Sequence, residues 1–209
     1  MSLEFLYEDE HLIAINKPAG LLSVPGRGPD NQDCAISRVQ SSRPNSRIIH
    51  RLDMATSGIL LIAQNIESLR AFSKLFEQRN IDKQYIAVVD GLLDKPTGEI
   101  DLPLICDWPN RPKQKVCHDS GKHAKTLYRT VHVDREQLTT RVELTPVTGR
   151  SHQLRVHMLS LGHPILGDEF YGTERSKEAA ERLLLQATQL TFTHPFSAKR
   201  IEINCEPTF

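Results

Sequence analysis

The chain has 209 residues, 39% of them apolar and 25% charged, with 26 Lys plus Arg set against 26 Asp plus Glu. That length supports one large domain or two half-size lobes sharing a core, and the mixture is globular rather than disordered or fibrous. Balanced charge excludes a uniformly basic coat, but not an enzyme with its cations gathered on one face. The first ten residues carry Glu4, Glu8, Asp9 and Glu10 and no base, unlike a secretory signal. No run approaches the ~18 apolar residues of a membrane span. Cys34, Cys106, Cys117 and Cys205 are widely spaced. They read as free thiols of a cytoplasmic protein.

Residues 4–7 and 11–15 predict two short strands joined by the acidic turn Glu8-Asp9-Glu10. Asn16-Lys17-Pro18-Ala19-Gly20 breaks the second, because proline lacks an N–H and glycine frees the backbone. Residues 24–31 form a Pro/Gly-rich loop, and 34–40 one or two helical turns that Arg43-Pro44 ends.

The densest stretch follows, I-I-H-R-L-D-M-A-T-S-G-I-L-L-I-A over 48–63. The run 59–62, β-branched and bounded by glycine, predicts a buried strand. Asp53 therefore lies in a loop pinned on both sides. A carboxylate there either shapes the loop, pairing with Arg51 or capping backbone N–H groups, or is held for chemistry. Its company, Arg51 and the trio Thr56-Ser57-Gly58, favours chemistry.

H-R-L-D-M-A-T-S-G-I-L-L resembles the catalytic motif of the RluA family of RNA pseudouridine synthases. With about a dozen constrained positions, the motif is far more specific than a lone Gly-rich pattern. The resemblance implies that Asp53 is the catalytic residue in isomerising uridine to pseudouridine, with His50 and Arg51 on the RNA side. The N-K-P-x-G pattern of 16–20 is also the family's, which implies that Lys17 lies near the site.

Ile66, Leu69, Phe72, Leu75 and Phe76 recur at helical spacing, predicting a helix over 66–79 with Asn65 as N-cap. Residues 83–89 then read as a strand. Its Tyr85 is by default a half-buried strand tyrosine. K-x-Y-x-A-x-V-x-G resembles the family's second motif, which implies that Tyr85 packs against the target base.

Residues 99–107 read as strand-like and lead into Trp108-Pro109-Asn110-Arg111-Pro112-Lys113-Gln114-Lys115. This is either a solvated loop anchored by its tryptophan or a surface where Arg111, Lys113 and Lys115 meet phosphates and Trp108 stacks. Residues 105–117 resemble one subgroup of the family, the dual-specificity members acting on 23S rRNA and tRNA. Cys106, Cys117, His118 and His123 match no common zinc spacing.

Residues 125–133 and 140–145 predict paired antiparallel strands, and Ser151 and Gly162 bracket a helix over 152–161. Leu154, Met158 and Leu161 share its core face. His152 and His157 stand about 140° apart on a helix, so they do not chelate as an i, i+4 pair would. Arg155 is expected at the rim of the core. T-G-R-S-H-Q-L-R-V-H resembles the family's third motif, which implies that Arg155 pairs with Asp53, and Arg150 joins the RNA-facing cations. The turn over 162–172 is also the family's. Gln186 departs from it, standing where an L-H-A histidine is usual. Residues 183–192 and 200–205 supply the last helix end and strands.

Hairpins mixed with few helices, without repeated βαβ units, argue an α+β fold: a mainly antiparallel, mixed sheet with flanking helices. The resemblance implies the bipartite pseudouridine-synthase fold, one catalytic domain over 1–209 with two lobes around a cleft and no S4-type module. It implies a partner RNA, a tRNA anticodon stem-loop and a 23S rRNA hairpin; no membrane partner is expected, and the oligomeric state, unknown from sequence, is expected to be a monomer. The uracil is only re-attached through C5, so neither cofactor nor metal is expected. Whether Asp53 meets C1′, the base or the 2′ proton stays open. A glycoside hydrolase needs a second nearby carboxylate, which 50–64 lacks. A non-catalytic RNA binder would not need Asp53, Tyr85 and Arg155 together.

Overall fold

The structure, a computed structural model, describes residues 3–209 and has the α+β architecture expected. The chain forms two compact units. One runs up to Lys83 and takes in Gln186–Thr208; the other is Gln84–Leu185 with Phe209.

In chain order the first unit opens with strands β1 (Glu4–Glu8) and β2 (Leu12–Lys17), then helix α1 (Ala35–Gln40). Strands β3 (Arg47–Ile48) and β4 (Ser57–Ala63) bracket the Asp53 loop, and helix α2 (Ile66–Glu77) follows. Asn65 caps α2 as expected, its Oδ1 accepting the Ser68 N–H at 2.8 Å. Strand β5 (Ile81–Asp90) carries the chain into the second unit. Residues 99–107, expected as one strand, form two: β6 (Thr97–Asp101) and β7 (Leu104–Cys106), parted where Pro103 withholds a donor. Next come β8 (Gln114–Val116), β9 (Lys125–Asp134), β10 (Thr139–Pro146), helix α3 (Gln153–Ser160) and the unexpected short helix α4 (Glu174–Glu178). The chain returns through β11 (Leu185–Thr193) and closes with β12 (Arg200–Asn204). No helix turn remains at 183–192, where a helix end was expected.

In the first unit the strands run β1-β2-β4-β11, with β12 on β11 and β3 on β4. All these pairings are antiparallel except β11 with β4, which is parallel through Gln186↔Ser57 and Ala187↔Gly58. Every residue of β4 is buried, matching its uninterrupted apolar run. The core joins Leu12, Ala14, Ile59, Leu61, Phe72 and Phe192. Phe72, fully buried, meets Phe192 edge-on at 5.9 Å and contributes about 1.5–3 kcal/mol by burial. Gly58 is required. Its φ is 105°, and a Cβ there would overlap the Ala187 carbonyl.

In the second unit β5-β10-β9-β6 form an antiparallel meander, and β7-β8 a separate hairpin. Leu104, Ala124, Val156 and Tyr171 pack together with Val116 against them, seating this hairpin against α3. Helix α3 starts one residue later than expected. Its N-cap is His152, in left-handed conformation at φ 53°, not Ser151. Leu161 is 37% exposed, so only Leu154 and Met158 of the expected stripe reach the core.

Candidate active site

In the first unit the loop from Ile49 to Thr56 is fastened on both sides of Asp53. On the upstream side the Leu52 N–H donates to Ser23 Oγ at 3.1 Å, while the Ser23 hydroxyl donates back to the Leu52 carbonyl at 2.8 Å. On the downstream side the Met54 carbonyl accepts the Gly20 N–H at 2.8 Å and the Lys17 ammonium at 3.1 Å. The Thr56 N–H closes a turn onto the Asp53 carbonyl. Asp53 itself is half-buried and Arg51 exposed. Backbone fixed on both sides of a carboxylate is how a fold holds such a group in place.

Lys17 was expected near the site and among the RNA-binding residues. It lies against the Asp53 loop with no exposed surface, its ammonium donating to the Pro18, Leu21 and Met54 carbonyls at 2.8, 2.8 and 3.1 Å. Three N–H donors meet three acceptors, so Lys17 acts on the loop rather than on phosphates. Burial pushes its pKa down to about 7, and the nearby Asp53 carboxylate works in the opposite direction. An unfolded lysine keeps its proton to about 10.4. Between about pH 7 and pH 10 the unfolded chain therefore binds more protons, and the Lys17 contribution to stability rises with pH. The unfolding free energy of wild type minus that of Lys17→Met is expected to grow across this window by up to about 1.4 kcal/mol per pH unit. Parallel urea titrations check this; a flat difference would show that Lys17 keeps its proton when folded.

His50 also departs from the expected RNA contact. Its Nε2 accepts the Leu61 N–H at 3.0 Å, and its ring stacks on Phe76 at 4.6 Å. Burial, aided by the Lys83 charge, pushes its pKa down to about 3, so the ring is neutral and serves as an acceptor. His50 ties the loop to β4. Gln186, the departure from the family, does similar work: its Oε1 accepts the Ser57 hydroxyl at 3.0 Å and its Nε2 donates to the Cys205 and Glu206 carbonyls.

In the second unit Tyr85 is half-buried on β5, its Cα opposite Leu144 of β10. Arg155 is not at a rim but only 3% exposed, and it makes a two-pronged pair with Asp168 at 2.8 and 2.6 Å. Asp168, itself 1% exposed, also accepts the Phe170 and Tyr171 N–H groups, and both rings lie 5.1 Å from the guanidinium. The chain's polar motif is used throughout. Gln153 bridges Thr148, Arg150, Lys125 and Thr126, and the buried His157 joins Thr126 to the Leu102 carbonyl. Arg150 is exposed, its Nε donating to the His123 carbonyl.

The loop from Asp107 to Lys113 presents Trp108 at 65% exposure, with the Arg111 guanidinium 4.3 Å from its ring. The tryptophan therefore does not anchor the loop to the core. Asp107 holds the turn through Asn110 and Lys115. Lys113 is half-buried, while Arg111 and Lys115 are exposed. Among the described residues no group of three or more His, Cys, Asp or Glu side chains is placed to hold a metal ion, and no helix is long and apolar enough to cross a membrane. Reading the residues singly missed Ser23, Asp168 and Tyr171. The turn G-D-E-F-Y-G was the available signal for the last two.

Residues 11–160 match the RNA pseudouridylate synthase family. The "Dual-specificity RNA pseudouridine synthase RluA" of Yersinia pestis is 52% identical over 204 residues, 98% of each chain. Its namesake from Escherichia coli K12 is 52% identical over 193 residues, 92% of this chain and 88% of the relative. Among solved structures, Human RNA Pseudouridylate Synthase Domain Containing 1 shares the fold with a TM-score of 0.83, covering 99% of this chain and 84% of its own at 24% identity. Human RNA Pseudouridylate Synthase Domain Containing 4 gives 0.78, covering 98% and 88% at 26% identity. The chain belongs to the RNA pseudouridylate synthase family, that of the RluA enzymes, and is an isomerase acting on RNA.

Proposed function

We propose that this enzyme converts specific uridines to pseudouridine in both a tRNA anticodon stem-loop and a 23S rRNA hairpin, with Asp53 as the catalytic residue. The observation that carries the reading is the double fastening of the Asp53 loop, through Ser23 on one side and Lys17 with Gly20 on the other. Relatives named for dual specificity, together with the resemblance over 105–117, support two RNA targets.

The reaction breaks the N1–C1′ bond and forms a C5–C1′ bond; C5 loses a proton and N1 gains one. Reaching those atoms requires the nucleotide to leave its stack, at least cost in a loop. Arg51, exposed beside Asp53, fills the vacated space or holds the displaced phosphate. Asp53 acts on the uridine at C1′, at the base or at the 2′ proton. Tyr85 supports the base face, and Arg155 keeps a carboxylate ionised against desolvation. These parts form one catalytic domain. Trp108, Arg111, Lys113, Lys115 and Arg150 are the RNA-facing set, in a chain whose overall charge is zero. Arg111→Ala and Arg150→Ala are each expected to weaken RNA binding and to lower the slope of log affinity against log salt by about 0.7. Filter binding across a salt series measures it.

The test is pseudouridine formation on the two transcripts. Modification of both supports the reading. Modification of one retires the dual specificity, and tight binding without pseudouridine replaces the enzyme by a binding protein.

A further inference from the structure

We propose that the Tyr171 hydroxyl fastens the Trp108 loop to the helix that carries Arg155. Tyr171 is then a positioning residue for the loop and the guanidinium together. The inference rests on the reading that this loop meets RNA and that Arg155 serves the reaction.

Tyr171 touches the loop, the start of α3 and the Arg155 clamp. Its hydroxyl accepts the Gln114 N–H at 2.7 Å, and Gln114 is the first residue of β8, directly after the loop. The same oxygen shares a hydrogen bond with His152 Nδ1 at 2.7 Å, and His152 is the left-handed residue that starts α3. The ring face lies 5.1 Å from the Arg155 guanidinium, and the Tyr171 N–H donates at 3.1 Å to the Asp168 carboxylate that grips Arg155.

The polar connection from loop to guanidinium thus passes through this side chain, itself 9% exposed and packed among Leu104, Ala124 and Val156, which also seat the hairpin on α3. Hydrogen bonds made at such burial are costly to leave unmade. Any displacement of the loop therefore pulls on the start of α3 and on the Arg155 clamp. A tyrosine serving only as packing would need the ring alone, and phenylalanine would replace it at no cost to loop or turnover.

Trp108 is the chain's single tryptophan, so its fluorescence reports the loop without RNA. The experiment compares wild type, Tyr171→Phe, Asp168→Asn and the double variant by acrylamide quenching of Trp108. Steady-state kinetics on the anticodon stem-loop follow. Tyr171→Phe is expected to raise the quenching constant about twofold, raise KM about fivefold and lower kcat about tenfold. Asp168→Asn is expected to change quenching when the Tyr171 hydroxyl is present and not when it is absent. His152→Asn, which keeps a residue suited to left-handed backbone, reproduces the loosening if Tyr171→Phe fails to fold. Unchanged quenching in Tyr171→Phe, or an equal response to Asp168→Asn with and without the hydroxyl, overturns the proposal. A wild type that shows the quenching pattern but never modifies RNA instead removes the assigned function and leaves the mechanical link standing.

Discussion

Asp53→Asn is expected to lower pseudouridine formation by a factor on the order of 10⁴ or more, with RNA affinity within about threefold of wild type. Asparagine has the same shape, and the bonds that hold the loop are made by the backbone of Leu52 and Met54 and by the Asp53 carbonyl, none of which changes. What disappears is the charge. Single-turnover tritium release or mass spectrometry of the RNA measures the first quantity and filter binding the second. Lys17 supplies an internal check. The Asp53 carboxylate raises its proton affinity, so the variant should titrate Lys17 below about 7, readable by nitrogen-detected NMR. A variant retaining a tenth of wild-type activity would sink the assignment of Asp53 to the chemistry.

The second large effect concerns stability. Asp168→Ala strands a guanidinium that is 3% exposed and leaves the Phe170 and Tyr171 N–H groups without their acceptor. Breaking such a buried pair from one side costs about 3–5 kcal/mol, because the remaining charge stays desolvated. Urea unfolding of the variant is expected to show that loss. Asp168→Asn, which keeps an acceptor for the backbone N–H groups, should lose less. Equal losses would place the energy in the ion pair alone, and a loss under about 1 kcal/mol would mean the site opens to water.

Much of the site could be read from the chain. Asp53 beside Arg51 and Thr56-Ser57-Gly58, next to an apolar run, marked a constrained loop. The structure supplies the matching buried strand over Ser57–Ala63. Asn65 announced the helix it caps. Patterns of this kind are local: burial on both faces demands a continuous apolar run, and a helix start demands a side-chain acceptor. Motif likeness over most of the chain carried the family, now joined by 52% identity to named relatives.

Other roles were illegible because their partners are distant in sequence. The family resemblance put Lys17 near the site and His50 on the RNA side. Only folding shows Lys17 enclosed by the Pro18, Leu21 and Met54 carbonyls, and His50 giving its acceptor to Leu61. Arg155 looks like a rim residue by helical spacing, which knows nothing of the turn that brings Asp168 against it. Trp108 could be an anchor or an exposed platform, and the hairpin's own geometry decided for exposure. The sequence by itself determined the family and most of the elements, and it singled out Asp53 as the candidate carboxylate, since these reside in contiguous patterns. Tertiary structure decided which charges are spent inside and which face water, because burial and long-range pairing set the cost of a charge.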